Sequence, residues 1–97
     1  MLSLTPAQRR FLRAHAHSLS AIVMIGDAGL TDAVIKETDH SLKSHELIKI
    51  KVAGDDRELR EKMMEEICTK VNAAPVQHIG KTLIIYRPTA KPKLTLP

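Results

Sequence analysis

The segment 22–31 constrains the fold of this chain more than any other. An apolar run over Ala21–Ile25 predicts a strand, and a Gly-x-x-Gly turn follows it, formed by Gly26, Asp27, Ala28 and Gly29. Two glycines allow a sharp turn that exposes backbone N–H groups. Thr31 is suited to cap the next helix, whose N-terminus favours anions. Strand, turn and helix start in direct succession predict a cradle that can accept phosphate.

A first helix is predicted to begin after Thr5, with Pro6 at its first position and Gln8 completing a capping box. It should run to about His17. A rotation of 100° per residue places an apolar set on one side, namely Phe11, Leu12, His15 and Leu19. It places a basic set on the other side, namely Arg9, Arg10, Arg13 and His17. Such a face is either a solvated surface or a nucleic-acid-binding one, and the absence of an acid among the four favours the second.

The middle of the chain predicts a helix, a strand and another helix. The second helix begins at Thr31. Glu46–Val52 alternates, so that Lys49 and Lys51 share the more open face of a strand. Asp55 is predicted to cap a third helix whose apolar arc runs from Leu59 to Val71. Arg60 also falls within this arc, and we expect its stem to pack while its head reaches solvent.

A hairpin is predicted near the C-terminus, with Val76–Ile79 and Thr82–Arg87 joined by Gly80-Lys81 in a type II′ turn. Two runs, Ala21–Ile25 and Leu83–Tyr86, are apolar on both faces and are therefore predicted to be central strands. The order α-β-α-β-α-β-β predicts the α/β class: a single four-stranded mixed sheet packed with three helices. Residues 1–88 form this domain, and 89–97 are expected to be an extended or disordered basic tail.

Composition excludes several functions. The 97 residues carry a net charge of +4 and only 2% aromatic residues, which argues against base stacking of the RRM type. The histidines have poor ligand spacing and the single cysteine, Cys68, lies in an apolar arc, so we expect no metal, cofactor or catalytic residue. No signal peptide or membrane-length stretch is visible, so we expect a cytoplasmic protein that does not bind a membrane. We also expect a monomer that takes no small-molecule substrate.

Four blocks in order resemble the CRM domain family, in particular its free-standing bacterial YhbY-type members. They are residues 12–19, 23–31, 45–51 and 79–88, so the resemblance spans nearly the whole chain from Leu4 to Pro88. It implies an RNA-binding domain with a fold similar to the C-terminal domain of translation initiation factor three. It also implies association with precursors of the large ribosomal subunit.

Residue by residue, the resemblance places the Gly-x-x-Gly loop at Gly26 to Gly29. The basic positions that match the family are Arg13, Lys49, Lys51, Lys81 and Arg87. Two departures stand out. The family often has Pro-Leu-Lys-Pro where this chain has Ser18-Leu19-Ser20-Ala21, and Asp27 places an acid beside any phosphate bound at the loop, where its repulsion would be screened by salt.

The residues predict an RNA-binding protein, and the resemblance implies that its target is structured ribosomal RNA during assembly of the large subunit. The first helix, the Gly-x-x-Gly loop with Thr31, and the strand lysines would contact phosphate and sugar. The alternative is an adaptor that docks its basic face on an acidic surface of a ribosomal protein or translation factor.

Overall fold

A computed structural model describes all 97 residues. Its seven elements follow the predicted order: α1 (Pro6–Ala16), β1 (Ala21–Ile25), α2 (Asp32–His45), β2 (Leu47–Val52), α3 (Arg57–Val71), β3 (Ala74–Ile79) and β4 (Thr82–Tyr86). The strand order across the sheet is β1-β2-β4-β3, with β1 parallel to β2 and the other neighbours antiparallel. The predicted α/β class, with one mixed sheet and three helices, is confirmed.

The sheet separates two apolar layers of unequal size. A cluster of 13 buried residues joins α2 and α3 to one face of the sheet, around Ile25, Ile50 and Ile67. A smaller cluster of 6 lies on the opposite face, where α1 contributes Leu12 and Ala16. A single helix cannot cover a four-stranded sheet, so part of this second face stays open.

The helix starts follow the predicted chemistry with one shift. Thr5 and Gln8 form the capping box, and the Thr31 hydroxyl accepts the Val34 N–H at 3.2 Å. The third helix is capped by Asp56, whose Oδ1 accepts the Leu59 N–H at 3.1 Å, so the prediction of Asp55 was wrong by one residue. Asp55 instead faces Lys81, with 3.0 Å between carboxylate oxygen and ammonium. Either aspartate could cap the helix, but Asp55 is engaged in the ion pair with Lys81 and Asp56 is the cap.

β4 is a central strand as predicted, but β1 is an edge strand, which corrects the prediction for Ala21–Ile25. Val23 and Ile25 are buried, whereas Ile22 and Met24 are 44% and 67% exposed. An apolar run shows that both faces of a strand could be buried. Burial on the second face also needs a covering helix, and α1 lies over β2, β3 and β4 instead.

Four side chains on or next to the helices also depart from expectation. The apolar side of α1 is centred on Leu12 and Ala16, and His15 lies outside it and is exposed. Leu19 is exposed because the helix ends at Ala16, so position 19 no longer follows the helical rotation. Leu59 is likewise 48% exposed. Arg60 does not reach solvent: its Nε donates to His78 Nε2 at 3.1 Å and its Nη1 to the Gly54 carbonyl at 3.2 Å. Hydrogen-bond acceptors on β3 and just before α3 make burial of the guanidinium possible.

The tail 89–97 contains no helix or strand but lies against the domain. Leu94 and Leu96 pack on the smaller apolar cluster. The backbone N–H groups of Thr89 and Lys93 both donate to the carboxylate of Glu46, which is fully buried. The tail therefore supplies the hydrogen-bond donors for a buried charge between α2 and β2.

Candidate nucleic-acid interface

The uncovered part of the sheet forms a continuous surface on the α1 side. Strand register places Met24 beside Lys51, Lys51 beside Thr82, and Thr82 beside Ile79, in one row across all four strands. Side chains directly opposite one another on paired strands lie on the same face. We call this surface the open sheet face; its residues are Ile22, Met24, Lys49, Lys51, Ile79 and Thr82.

α1 adds positive charge along the rim of the open sheet face. Arg13 and His17 line a shallow cleft together with Lys49 and Gln77. Arg10, one turn before Arg13, is exposed. The structure thus brings together basic residues from α1 and β2 that are more than thirty positions apart in the sequence.

None of these rim and strand cations is neutralised within the protein. The ion pairs of the structure engage Lys43, His78, Lys81 and Arg87, and leave Arg10, Arg13, Lys49 and Lys51 without an acidic partner. Unpaired cations on one face create a positive potential that attracts a polyanion.

The Gly-x-x-Gly loop continues directly from β1 at one end of the open sheet face. A tight turn closes it, with the Gly29 N–H donating to the Gly26 carbonyl at 3.0 Å. The N–H groups of Asp27 and Ala28 have no backbone acceptor, and both residues are exposed. The loop therefore offers free donors to a ligand next to the capped start of α2.

The loop lies at the same end of the strands as the hairpin turn that carries Lys81. The Val52 N–H donates to the Lys81 carbonyl and the Ala53 N–H to the Ile25 carbonyl, each at 2.8 Å. A hydrogen bond from Lys81 holds the pKa of Asp55 below its ordinary value. Both side chains of this pair are largely exposed, so the pair leaves Lys81 accessible to a ligand.

Two of the predicted basic residues lie elsewhere. Arg9 lines a separate cleft with Met1, Leu4 and Pro75. Arg87 follows β4 at the opposite end of the sheet from the loop, and its guanidinium is hydrogen-bonded to Asp39 and to the Val71 carbonyl at 2.8 and 2.7 Å. The structure therefore does not bring Arg9 or Arg87 to the open sheet face.

Sequence reasoning missed the apolar members of the open sheet face. Ile22, Met24 and Ile79 are among the most exposed large hydrophobic residues of the chain. The apolar pattern of β1 predicts a strand buried on both faces, although the same pattern is compatible with an edge strand covered on one face only. The polar alternation of β2, with Lys49 and Lys51 on one side, was the available signal that this side of the sheet faces solvent.

No site for metal chemistry is formed. The structure contains no group of three or more His, Cys, Asp or Glu side chains placed to share a metal ion. Burial raises the pKa of the Cys68 thiol to about 12, so this cysteine is protonated at neutral pH and a poor nucleophile.

No helix in the structure combines the length and the apolar character needed to cross a lipid bilayer.

Fold and surface together define a small α/β domain with a basic, partly apolar sheet face and an adjoining Gly-x-x-Gly loop. Residues 4–87 match the CRS1 / YhbY (CRM) domain, and the chain belongs to this family. This confirms the resemblance inferred from the four sequence blocks.

Similar proteins are named for RNA binding. An RNA-binding protein of Haemophilus influenzae is 44% identical over 97 residues, covering 100% of this chain and 98% of its own length. A probable RNA-binding protein of Pseudomonas aeruginosa is 34% identical, with coverage of 98% and 91%. The solution structure of a hypothetical protein from Staphylococcus aureus, described as a candidate RNA-binding protein, superposes with a TM-score of 0.88 at 32% identity, covering 98% of this chain and 100% of its own.

Proposed function

We propose that this protein binds RNA on the open sheet face, the adjoining rim of α1 and the Gly-x-x-Gly loop. The observation that carries the proposal is the group of cations on this surface that have no acidic partner, namely Arg13, Lys49 and Lys51, with Arg10 exposed one turn before Arg13. Free N–H groups of the loop add donors for phosphate oxygens. The naming of the relatives as RNA-binding proteins supports the same assignment.

The proposed target is structured ribosomal RNA during assembly of the large ribosomal subunit. The protein would act in the cytoplasm as a monomer, without a cofactor and without an enzymatic step. The family resemblance supports this target, and the chain offers phosphate-directed contacts rather than aromatic platforms for reading a long single strand. His17, Thr31 and Lys81 lie at the margins of the proposed surface, whereas Arg9 and Arg87 are outside it.

The proposal predicts a strong dependence of affinity on salt. If about four to six phosphates are neutralised, log K should fall with log[salt] at a slope of roughly −3 to −5. Filter binding of a large-subunit ribosomal RNA fragment over a series of salt concentrations measures this slope. A flat response would contradict electrostatic binding. If the protein instead binds an acidic surface of a ribosomal protein or translation factor but binds no RNA, this result would support the adaptor alternative.

A further inference from the structure

We infer that the open sheet face recognises unpaired nucleotides, with Met24 and Ile79 contacting the bases while Lys49 and Lys51 contact the phosphates between them. The inference rests on the proposed RNA-binding function and adds the class of RNA that the face accepts. It also assigns a binding role to residues that carry no charge.

The arrangement across the row supports contact with two bases rather than one. Met24, Lys51, Thr82 and Ile79 occupy neighbouring positions on β1, β2, β4 and β3. Adjacent strands lie about 4.8 Å apart, so the two apolar ends of the row are separated by roughly 14 Å. One base cannot span this distance. Two bases can, with the lysine and the threonine lying under the backbone that joins them.

The exposure of the apolar ends needs a physical reason. Met24 is 67% exposed and Ile79 is 56% exposed, on strands whose opposite faces are well packed. Ile22 and Met24 are exposed together on β1 and Ile79 is exposed on β3, so the same face offers apolar surface at both ends of the row that a ligand can cover. Flexible Met and branched Ile side chains provide apolar contact area for the face of a base in a chain that is almost free of aromatic residues.

Charge favours RNA over a protein copy as the occupant. Lys49, Lys51 and Arg13 surround the apolar side chains and have no acidic partner. A second copy of this chain placed face to face would bring its own cations against these, and such like-charge contact is unfavourable. A polyanion with apolar base surfaces satisfies both the cations and the hydrophobic side chains.

Unpaired nucleotides fit this face better than a duplex does. A paired stem stacks its bases on one another and presents phosphates and 2′-hydroxyl groups, which gain nothing from Met24 or Ile79. A loop, bulge or strand end exposes the faces of its bases. The inferred ligand is therefore an unpaired stretch of at least two nucleotides, consistent with a structured RNA whose loops are accessible.

The test compares two RNAs and two kinds of variant. The RNAs are a single strand without self-complementarity and a duplex of the same length. The variant is Met24→Gln/Ile79→Gln, which removes apolar surface without changing charge. The matched control is Leu59→Gln, since Leu59 is also exposed, at 48%, but lies on α3 on the other side of the sheet. Thermal melting checks that each variant is folded, and fluorescence anisotropy gives the affinities.

The inference predicts that the parent prefers the single strand and that the double variant loses about tenfold in affinity for it. Its affinity for the duplex should change by less than a factor of about two, and the control should behave as the parent. Equal affinity of the parent for both RNAs would overturn the inference and leave RNA binding intact, a comparison that needs no variant. The inference would also be overturned if the double variant kept the parent's affinity for the single strand. It would be overturned as well if sedimentation showed a dimer for the parent and a monomer for the double variant. Failure of the parent to bind either RNA and also the large-subunit ribosomal RNA fragment would refute the proposed function itself.

Discussion

At the scale of single residues, Gly26 and Gly29 occupy the same loop for different physical reasons. Gly29 has a φ of +75°, a conformation that costs other residues about 1–2 kcal/mol. Gly26 has no such φ, and a Cβ built on it would meet nothing within 4 Å. The fold therefore does not need glycine at position 26. A glycine without a structural requirement is consistent with close approach of a ligand to the backbone.

Gly26→Ala should accordingly separate binding from folding. We expect RNA affinity to fall several-fold, because the added methyl group occupies the space over which a phosphate would pass, while the melting temperature stays near that of the parent. Gly29→Ala should lower stability instead, by about 1–2 kcal/mol. Anisotropy and thermal melting on both variants check this. Unchanged RNA affinity of Gly26→Ala would show that the loop is only a turn.

Arg87 shows the opposite case, in which a predicted binding residue has a structural role. Its guanidinium joins Asp39 on α2 to the Val71 carbonyl at the end of α3, and its side chain is only 17% exposed. The hydrogen bond from Arg87 is the main cause that lowers the pKa of Asp39 below its ordinary value of 3.8. A sequence pattern marks the residue as basic but cannot show that its donors are already used.

Arg87→Gln should therefore destabilise the fold by about 1–3 kcal/mol at neutral pH and leave the RNA affinity of the folded protein unchanged. A carboxylate whose pKa is lower in the folded state than in the unfolded state stabilises the fold at pH values above the unfolded-state pKa. This stabilisation disappears as the pH falls through the folded-state pKa. The difference between parent and variant should thus shrink below about pH 4. Denaturant unfolding at neutral and acidic pH measures this. A large loss of affinity with unchanged stability would return Arg87 to the binding surface.

At the scale of elements, the sequence predicted the positions of helices and strands along the chain better than it predicted which strands lie side by side in the sheet. Capping residues and the alternation of Glu46–Val52 are local signals, and they located α1, α2 and β2 within a residue or two. Whether β1 is central or at an edge depends on pairing between distant segments. Local patterning does not encode it, and for the same reason the exposure of Met24 and Ile79 was not foreseen.

The C-terminal tail is an element that only the three-dimensional structure reveals as part of the domain. Its backbone N–H groups from Thr89 and Lys93 donate to Glu46, a fully buried carboxylate at a residue with a φ of +59°. Leu94 and Leu96 cover the smaller apolar cluster beside α1. A buried carboxylate is costly without donors, so tail and carboxylate should stabilise the protein together.

Removal of residues 89–97 should lower the free energy of unfolding by about 1–3 kcal/mol, because Glu46 loses its donors and apolar surface is uncovered. Glu46→Gln should destabilise the full chain but have a smaller effect in the shortened one. A double-mutant cycle from urea unfolding measures this coupling. Additive effects would show that the tail does not act through Glu46.

At the scale of the whole molecule, the sheet separates a packed face from the open sheet face, on which we propose that RNA binds. α2 and α3 pack over most of one face, and α1 covers only part of the other. The unpaired cations from α1 and β2 therefore collect around exposed apolar side chains on one surface. Sequence reasoning found these cations individually, but their meeting on one open face follows from the packing of α1.

The location of the charges, rather than their number, is the central claim, and two variants of equal net charge test it. Lys49→Gln/Lys51→Gln removes two cations from the open sheet face. Lys62→Gln/Lys70→Gln removes two from the exposed outer side of α3. RNA affinity measured over a salt series should fall at least tenfold at low salt for the first variant, with a salt slope about two units shallower, and should stay near that of the parent for the second. Equal losses in both variants, or no loss in either, would contradict an RNA interface on the open sheet face.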